Sequence, residues 1–314
     1  CRSAYRKMYD KDHRANDCGF RIALVPYDKP KDDRKNKDKK VFKVKDFEFV
    51  MEPIPAGNFI MGSPKEELGR FSDEEQHKVT ISKAFYMARF PVTQALYQAV
   101  MNNNPSEFQN DNNPVEKVTW NNAKEFCYEL NKIVSPALPE GYRFDLPTEA
   151  QWEYACRAGT MTSLNNGEDI TAENGICAHT YEVGWTNGYS EKTTHSVGLK
   201  SPNAWGLYDM HGNVFEWCRD WYEASYPDSD VTDPEGPKNG SSRVVRGGTW
   251  NLEPQKCRSA YRKMYDKDHR ANDCGFRVAL VSASKPVVEG NKPKTELPKF
   301  DTEMPATEAK PVKK

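Results

Sequence analysis

No apolar run in this 314-residue sequence approaches the about eighteen residues of a membrane-spanning helix, and the longest stretches are broken by charges. Neither sign of charge is in excess. The 45 basic and 46 acidic side chains leave a formal net charge of -1, so no global field favours nucleic acid or an anionic membrane surface. The eight cysteines include no paired CxxC spacing, which excludes the usual structural zinc framework, and their number points to no particular compartment. A glycine-rich phosphate loop is missing too, because GGTW (247–250) follows a strand pattern without opening a helix. What the chain does have is 37% hydrophobic and 11% aromatic residues, enough for a substantial core.

It also has a repeat. Residues 1–21, CRSAYRKMYDKDHRANDCGFR, recur identically at 257–277, and the match runs on through Ile22/Val278 to Val25/Val281. A polar, Lys/Pro-rich stretch follows each copy, so each copy closes a domain. The organisation expected is a tandem array with other repeat domains in the same chain. Residues 1–25 are then the C-terminal remnant of a preceding repeat, loosely docked or disordered, and 26–41 a charged linker. Residues 42–281 form the complete domain, and 282–314 a disordered tail or linker. Accidental duplication of the segment is the alternative.

Within 42–281, FEFVMEPIPAGNFIMGS (47–63) reads as short strands around a Pro/Gly turn. Thr93 caps a helix with Ala95, Leu96, Ala99 and Val100 on its apolar face. A second helix buries Ala123, Phe126, Cys127 and Leu130 at three- and four-residue spacing. In LPTEAQWEYACRAG (146–159), Thr148 and Gln151 form a capping box, and Gly159 suits a left-handed exit. Beyond 160 the chain is rich in Asn, Gly, Pro and Trp. The fold class is therefore α+β with much irregular structure. The acids Glu74, Glu75, Glu149 and Glu153 read as solvated loop and helix-start residues rather than an acid–base pair.

Five segments in order, IPAGNFIMGS, FPVTQALY, FDLPTEAQWEYACRAG, NAWGLYDMHGNVFEW and RVVRGGTW, closed by CRSAYR and GFRVAL, resemble the formylglycine-generating, or sulfatase-modifying factor, family. The resemblance covers nearly all of residues 48–281. It implies a fold related to the C-type lectin domain, with two main helices beside small antiparallel sheets and long structured loops. It also implies a structural calcium ion held by the side chains of Asp209 and Glu216 and the carbonyls of Gly212 and Val214, a set of hard oxygen ligands. The bland reading of that turn is a pair of solvated acids.

Family enzymes hold copper(I) between two thiolates and use oxygen to convert a substrate cysteine into formylglycine. Aligned on RGGTW, Cys257 stands at the second of those cysteines and Leu252 at the first. An aliphatic side chain cannot be a ligand, and no motif places any of the six histidines beside Cys257. A copper site and formylglycine generation are therefore not expected, and Cys257 would be catalytic only if another partner replaced the missing thiol. Cys156 likewise lacks the disulfide partner found in some eukaryotic members, since Val278 occupies that position.

The segment between RGGTW and GFR mixes Arg258, Tyr261, Arg262, Tyr265 and His269, residue types enriched in binding hot spots. It resembles the variable region of lectin-fold proteins diversified by retroelements. The function expected is a non-oxidase module in a tandem array that recognises a protein or peptide ligand. The alternative is an oxidoreductase acting on a protein cysteine or small thiol through an altered metal site. A charged loop that merely closes the domain is the bland reading of 251–273.

Overall fold

The computed structural model describes residues 39–282. The expectations for residues 1–25, for 26–38 and for the tail from 283 onward fall outside them. The compact unit begins at Lys40, two residues before the expected boundary. In chain order its strands and helices are β1 (Lys40–Val44), β2 (Phe47–Ile54), β3 (Gly57–Met61), β4 (His77–Ile81), β5 (Phe85–Ala88), α1 (Gln94–Met101), α2 (Trp120–Val134), β6 (Tyr142–Asp145), α3 (Glu149–Arg157), α4 (Ala178–Val183), β7 (Gly184–Trp185), β8 (His211–Gly212), β9 (Phe215–Trp221), β10 (Val231–Thr232), β11 (Ser242–Arg246), β12 (Arg262–Asp266), β13 (Cys274–Gly275) and β14 (Ala279–Ser282).

The α+β expectation holds, with two additions. Four helices are present among the described residues rather than two, and two of the sheets are mixed. One sheet, ordered β1-β2-β5-β14-β6, is antiparallel throughout. A second, β10-β4-β3, and a third, β12-β11-β9-β13, each include a parallel pair, β10 with β4 and β13 with β9. These parallel pairs are two residues long and join segments far apart in sequence, so no alternating apolar pattern announces them.

The helices form where local chemistry starts and stops them. Thr93 Oγ1 accepts from Leu96 N at 3.3 Å, and Asn102 ends α1 in the left-handed conformation. Reciprocal capping boxes open α2 (Thr119 with Asn122) and α3 (Thr148 with Gln151). The foreseen stripe Ala123, Phe126, Cys127, Leu130 is buried, and it packs with α1, Phe144, Phe215, Trp217 and Phe276 into one apolar core. Around Trp152 of α3 a second core gathers Ile54, Met61, Val79, Leu207, Met210 and Cys218.

Between these cores runs a chain of buried charge that overturns the solvated reading of the acids. Glu74 and Glu153 are fully buried and Glu149 nearly so, while Glu75 does stay at the surface. Glu153 accepts from Gly62 N, Arg157 and Arg246. Glu149 is forked by Arg262 at 2.7 and 2.8 Å, and Glu74 by Arg258 at 2.7 and 2.9 Å. Burial of a carboxylate is tolerable only with such charge-assisted partners. The spacing of these acids resembles an ordinary helix start, so the missing signal was the set of arginines about 100 to 190 residues downstream.

Candidate functional site

After β11 the chain turns sharply through Gly247 and Gly248, both at positive φ. A Cβ on Gly248 would collide with Cys257 Sγ and Lys256 O, so only glycine lets the thiol pack against the turn. Cys257 closes a short 3-10 turn, Pro254–Cys257, and is fully buried. The polar neighbours of its sulfur are the carbonyls of Thr249 at 3.8 Å and Leu252 at 4.0 Å. Burial pushes the thiol pKa up to about 12, away from the thiolate that a nucleophile needs. Leu252 packs its side chain on the apolar core, while its carbonyl accepts from Asn187 N at 2.9 Å.

A histidine does lie next to this cysteine, contrary to the sequence expectation. His211 Nδ1 is 2.7 Å from Cys257 O, and Nε2 is 3.1 Å from Asn165 N. Because Asn165 N–H can only donate, Nε2 accepts, and Nδ1–H therefore donates to the carbonyl. The ring is aimed at the backbone and not at the sulfur. Burial pulls its pKa down to about 4, which keeps it neutral. Among the described residues no group of three or more His, Cys, Asp or Glu is arranged to hold a metal.

Beside this turn stands Trp250. Its ring edge meets Phe108 with centroids 5.4 Å apart, its Nε1 donates to Asn272 O, and its carbonyl accepts from Ser190 Oγ at 2.7 Å. Phe108 also lines a cavity of about 360 Å³, together with Gln109, Asn110, Asn113, Thr194, Ser196 and Leu199. Its lining is mainly amides and hydroxyls, with the Phe108 ring, the imidazole of His195 and the side chain of Leu199, and holds no carboxylate. Asn113 binds Thr194 O at 3.0 Å and so ties the two wall segments together. Lys200 lies over the rings of Tyr181 (3.6 Å) and Trp185 (3.9 Å), and Trp185 stacks on His195 at 3.8 Å. Tyr181 of this stack (52% exposed) is open to solvent, as are Leu199 (64%) and Ile176 (67%).

The expected recognition residues are placed differently. Arg258 and Arg262 are buried in the ion pairs to Glu74 and Glu149, and Tyr261 is buried against Phe71 at 5.2 Å. Their donors and ring faces are engaged inside the domain, which removes these three from a ligand-facing role. Tyr265 and His269 are half-buried and stacked on each other at 3.9 Å, leaving Asn251, Lys263, Met264, Asp266, Asp268 and Arg270 as the exposed part of the segment.

Residues 47–281 match the family described as the Sulfatase-modifying factor enzyme 1-like domain. The chain belongs to this family. Its sequence is 30% identical to the chaperone protein LppX of Paenibacillus barcinonensis over 256 residues, 69% of this chain and 86% of that protein. It is 26% identical to the formylglycine-generating enzyme of Mus musculus over 289 residues, 73% of this chain and 74% of the enzyme. Among solved structures, Treponema denticola variable protein 1 superposes with a TM-score of 0.69 at 31% identity, covering 77% of this chain and 98% of that one.

For a sulfatase-modifying factor domain the calcium expectation can be tested on the residues themselves. Glu216 is forked by Arg277, with two contacts of 2.6 Å, and its Oε2 also accepts from Trp152 Nε1 at 2.6 Å. Asp209 Oδ2 accepts from Gly198 N at 2.7 Å, and Oδ1 faces Asn213 Nδ2 at 3.4 Å. Each carboxylate oxygen thus already meets a protein donor, and a guanidinium supplies the charge that a calcium ion would. As arranged, Glu216 is neutralised by Arg277 without an ion, and calcium binding by Asp209, Gly212, Val214 and Glu216 is decided by chelation. Chelation with EDTA is accordingly expected to leave the melting temperature within about 1 °C, and a fall of several degrees in a thermal scan would restore the ion. The features of this family member that sequence reasoning missed are the amide-lined cavity and the exposed rings beside it. The only available signal was Ile176, Tyr181 and Leu199 standing among polar loop residues.

Proposed function

We propose that this domain is a recognition module without oxidase chemistry, which binds a protein or peptide segment on the face around Trp250. The observation that carries the reading is the pairing of an enclosed thiol that has lost its partner with a cavity lined by hydrogen-bonding groups. Leu252 stands where a sulfur ligand would be needed, and the enclosed Cys257 sulfur has the carbonyls of Thr249 and Leu252 as its polar neighbours. Amides and hydroxyls suit the N–H and C=O groups of a peptide; Leu199 adds apolar contact in the cavity wall, and the next residue, Lys200, carries the exposed ring of Tyr181. Relatives named as a chaperone and as a variable protein support a role other than oxidation.

Two measurements test this. Titration of copper(I) into the reduced protein is expected to show no stoichiometric tight site that Cys257→Ser abolishes; finding one would return the domain to thiol oxidation. Peptides selected from a displayed library should lose about tenfold in affinity on Tyr181→Ala or Leu199→Ala, with the melting temperature unchanged. Full retention of affinity in both variants would remove the face from the proposal.

A further inference from the structure

A second cavity, of about 260 Å³, opens at the far end of β9 and shares no lining residue with the one beside Trp250. Its walls are apolar, built from Met61, Trp221, Tyr226 and the prolines 227, 234 and 237. Four carboxylates line it as well: Glu149, Asp220, Glu223 and Glu235. Two of the four have counter-ions, since Arg262 forks Glu149 and Arg219 pairs with Glu235. Asp220 and Glu223 have none among the described residues.

Asp220 is the informative one. It is 4% exposed, and its Oδ2 accepts from Glu149 N at 2.9 Å, the first N–H of α3. Among the described residues no donor reaches its Oδ1, which is not sealed from solvent, and the residue lines the cavity. Gly236, at φ +71, closes over it, and a Cβ there would lie 3.3 Å from Oδ1. A helix-capping role uses one oxygen and explains neither the unmatched charge nor the hollow in front of the other.

We infer that this cavity is a binding site for an alkylammonium group, of the size of a lysine side chain, with Asp220 as its counter-ion. The prolines and Trp221 cover the methylene chain, and Glu223 at the rim adds attraction for a cation. An unpaired buried carboxylate is costly, and an incoming ammonium removes that cost.

Ionisation of Asp220 then governs affinity. Burial, followed by the neighbouring Glu149, pushes its pKa up to about 7. The other groups facing it are Glu223, Glu235, His77, Tyr226 and Arg262 on the cavity wall, with Arg219 and Arg243 behind. Arg262 is held by Glu149.

The test is calorimetric titration of the full chain with n-pentylammonium, with 1-pentanol as the uncharged match, and with acetyl-Gly-Lys-Gly-amide. Saturable binding of the amine is expected, about tenfold tighter at pH 8 than at pH 6, as Asp220 passes from mostly protonated to mostly ionised. Asp220→Asn should weaken it at least tenfold. Pentanol should bind at least tenfold more weakly than the amine, and this arm decides the matter if the Asn variant fails to fold. Comparable affinity for the lysine peptide assigns the site to protein lysines, and binding of the free amine alone assigns it to small amines. Absence of saturable amine binding at pH 8, or equal binding of pentanol, overturns the inference.

Discussion

Glu153→Ala will lower the melting temperature of this domain by roughly 10 °C, corresponding to a loss of about 3–5 kcal/mol. Glu153 is fully buried, and its two oxygens meet Arg157, Arg246 and the amide of Gly62. Arg246 also has no solvent exposure, and beyond Glu153 its guanidinium reaches the carbonyls of Ser259, Ala260 and Tyr261. Removal of the carboxylate strands cationic charge between two apolar cores, where water cannot replace the lost partner. Replacement by Gln should recover part of the loss by keeping hydrogen-bond acceptance at one oxygen. Glu129→Ala is the matched control, because Glu129 meets only Lys132 at the surface of α2 and should give no measurable shift. A thermal scan in which Glu153→Ala melts within about 2 °C of the parent would show that the buried network is not a unit of stability.

The second large effect concerns pH. His211 is neutral in the fold, with its pKa pulled down to about 4 from an ordinary value near 6.5. A folded-state pKa below the unfolded one means that the contribution is intact above pH 6.5 and is lost as pH falls toward 4. This single ring then removes about 3 kcal/mol across that window. Asp220 works in the other direction. Its raised pKa, about 7, gives stability that is full below the ordinary carboxylate range and is lost as pH rises toward 7. The two slopes oppose each other, so the parent should show a shallow profile. His211→Gln should uncover the opposing trend, the parent losing stability relative to the variant as pH falls from 6.5 to 4. Denaturant melts at four pH values measure this, and parallel profiles would mean that the ring is not held neutral.

The legible parts of the fold were those written in local chemistry. Thr93, Thr148 and Gln151 announced their helix starts, and the stripe from Ala123 to Leu130 announced a buried face, because each depends on neighbours three or four residues away. The motif order from IPAGNFIMGS to GFRVAL was enough for the family. The parallel pairings, the cavity walls at 108–113 and 193–199, and the partner of each buried acid were not legible. All of these depend on contacts between distant segments. Composition misled in one place. Arg and Tyr in the segment 258–262 look like a contact surface, but here the same chemistry closes the interior, since an arginine fork serves a buried glutamate as well as it serves a ligand. The copper expectation turned on one aliphatic residue, Leu252, and the structure adds that the remaining sulfur sits among carbonyl oxygens.

Strand β14 lies inside the first sheet, between β5 and β6, and Arg258, Arg262 and Arg277 reach Glu74, Glu149 and Glu216 from the last part of the domain. During synthesis these three acids leave the ribosome long before their cations do. A nascent chain that ends short of Arg277 can neither complete that sheet nor neutralise the groups its interior must enclose, so the domain must assemble as a late event, once its final strand has been made.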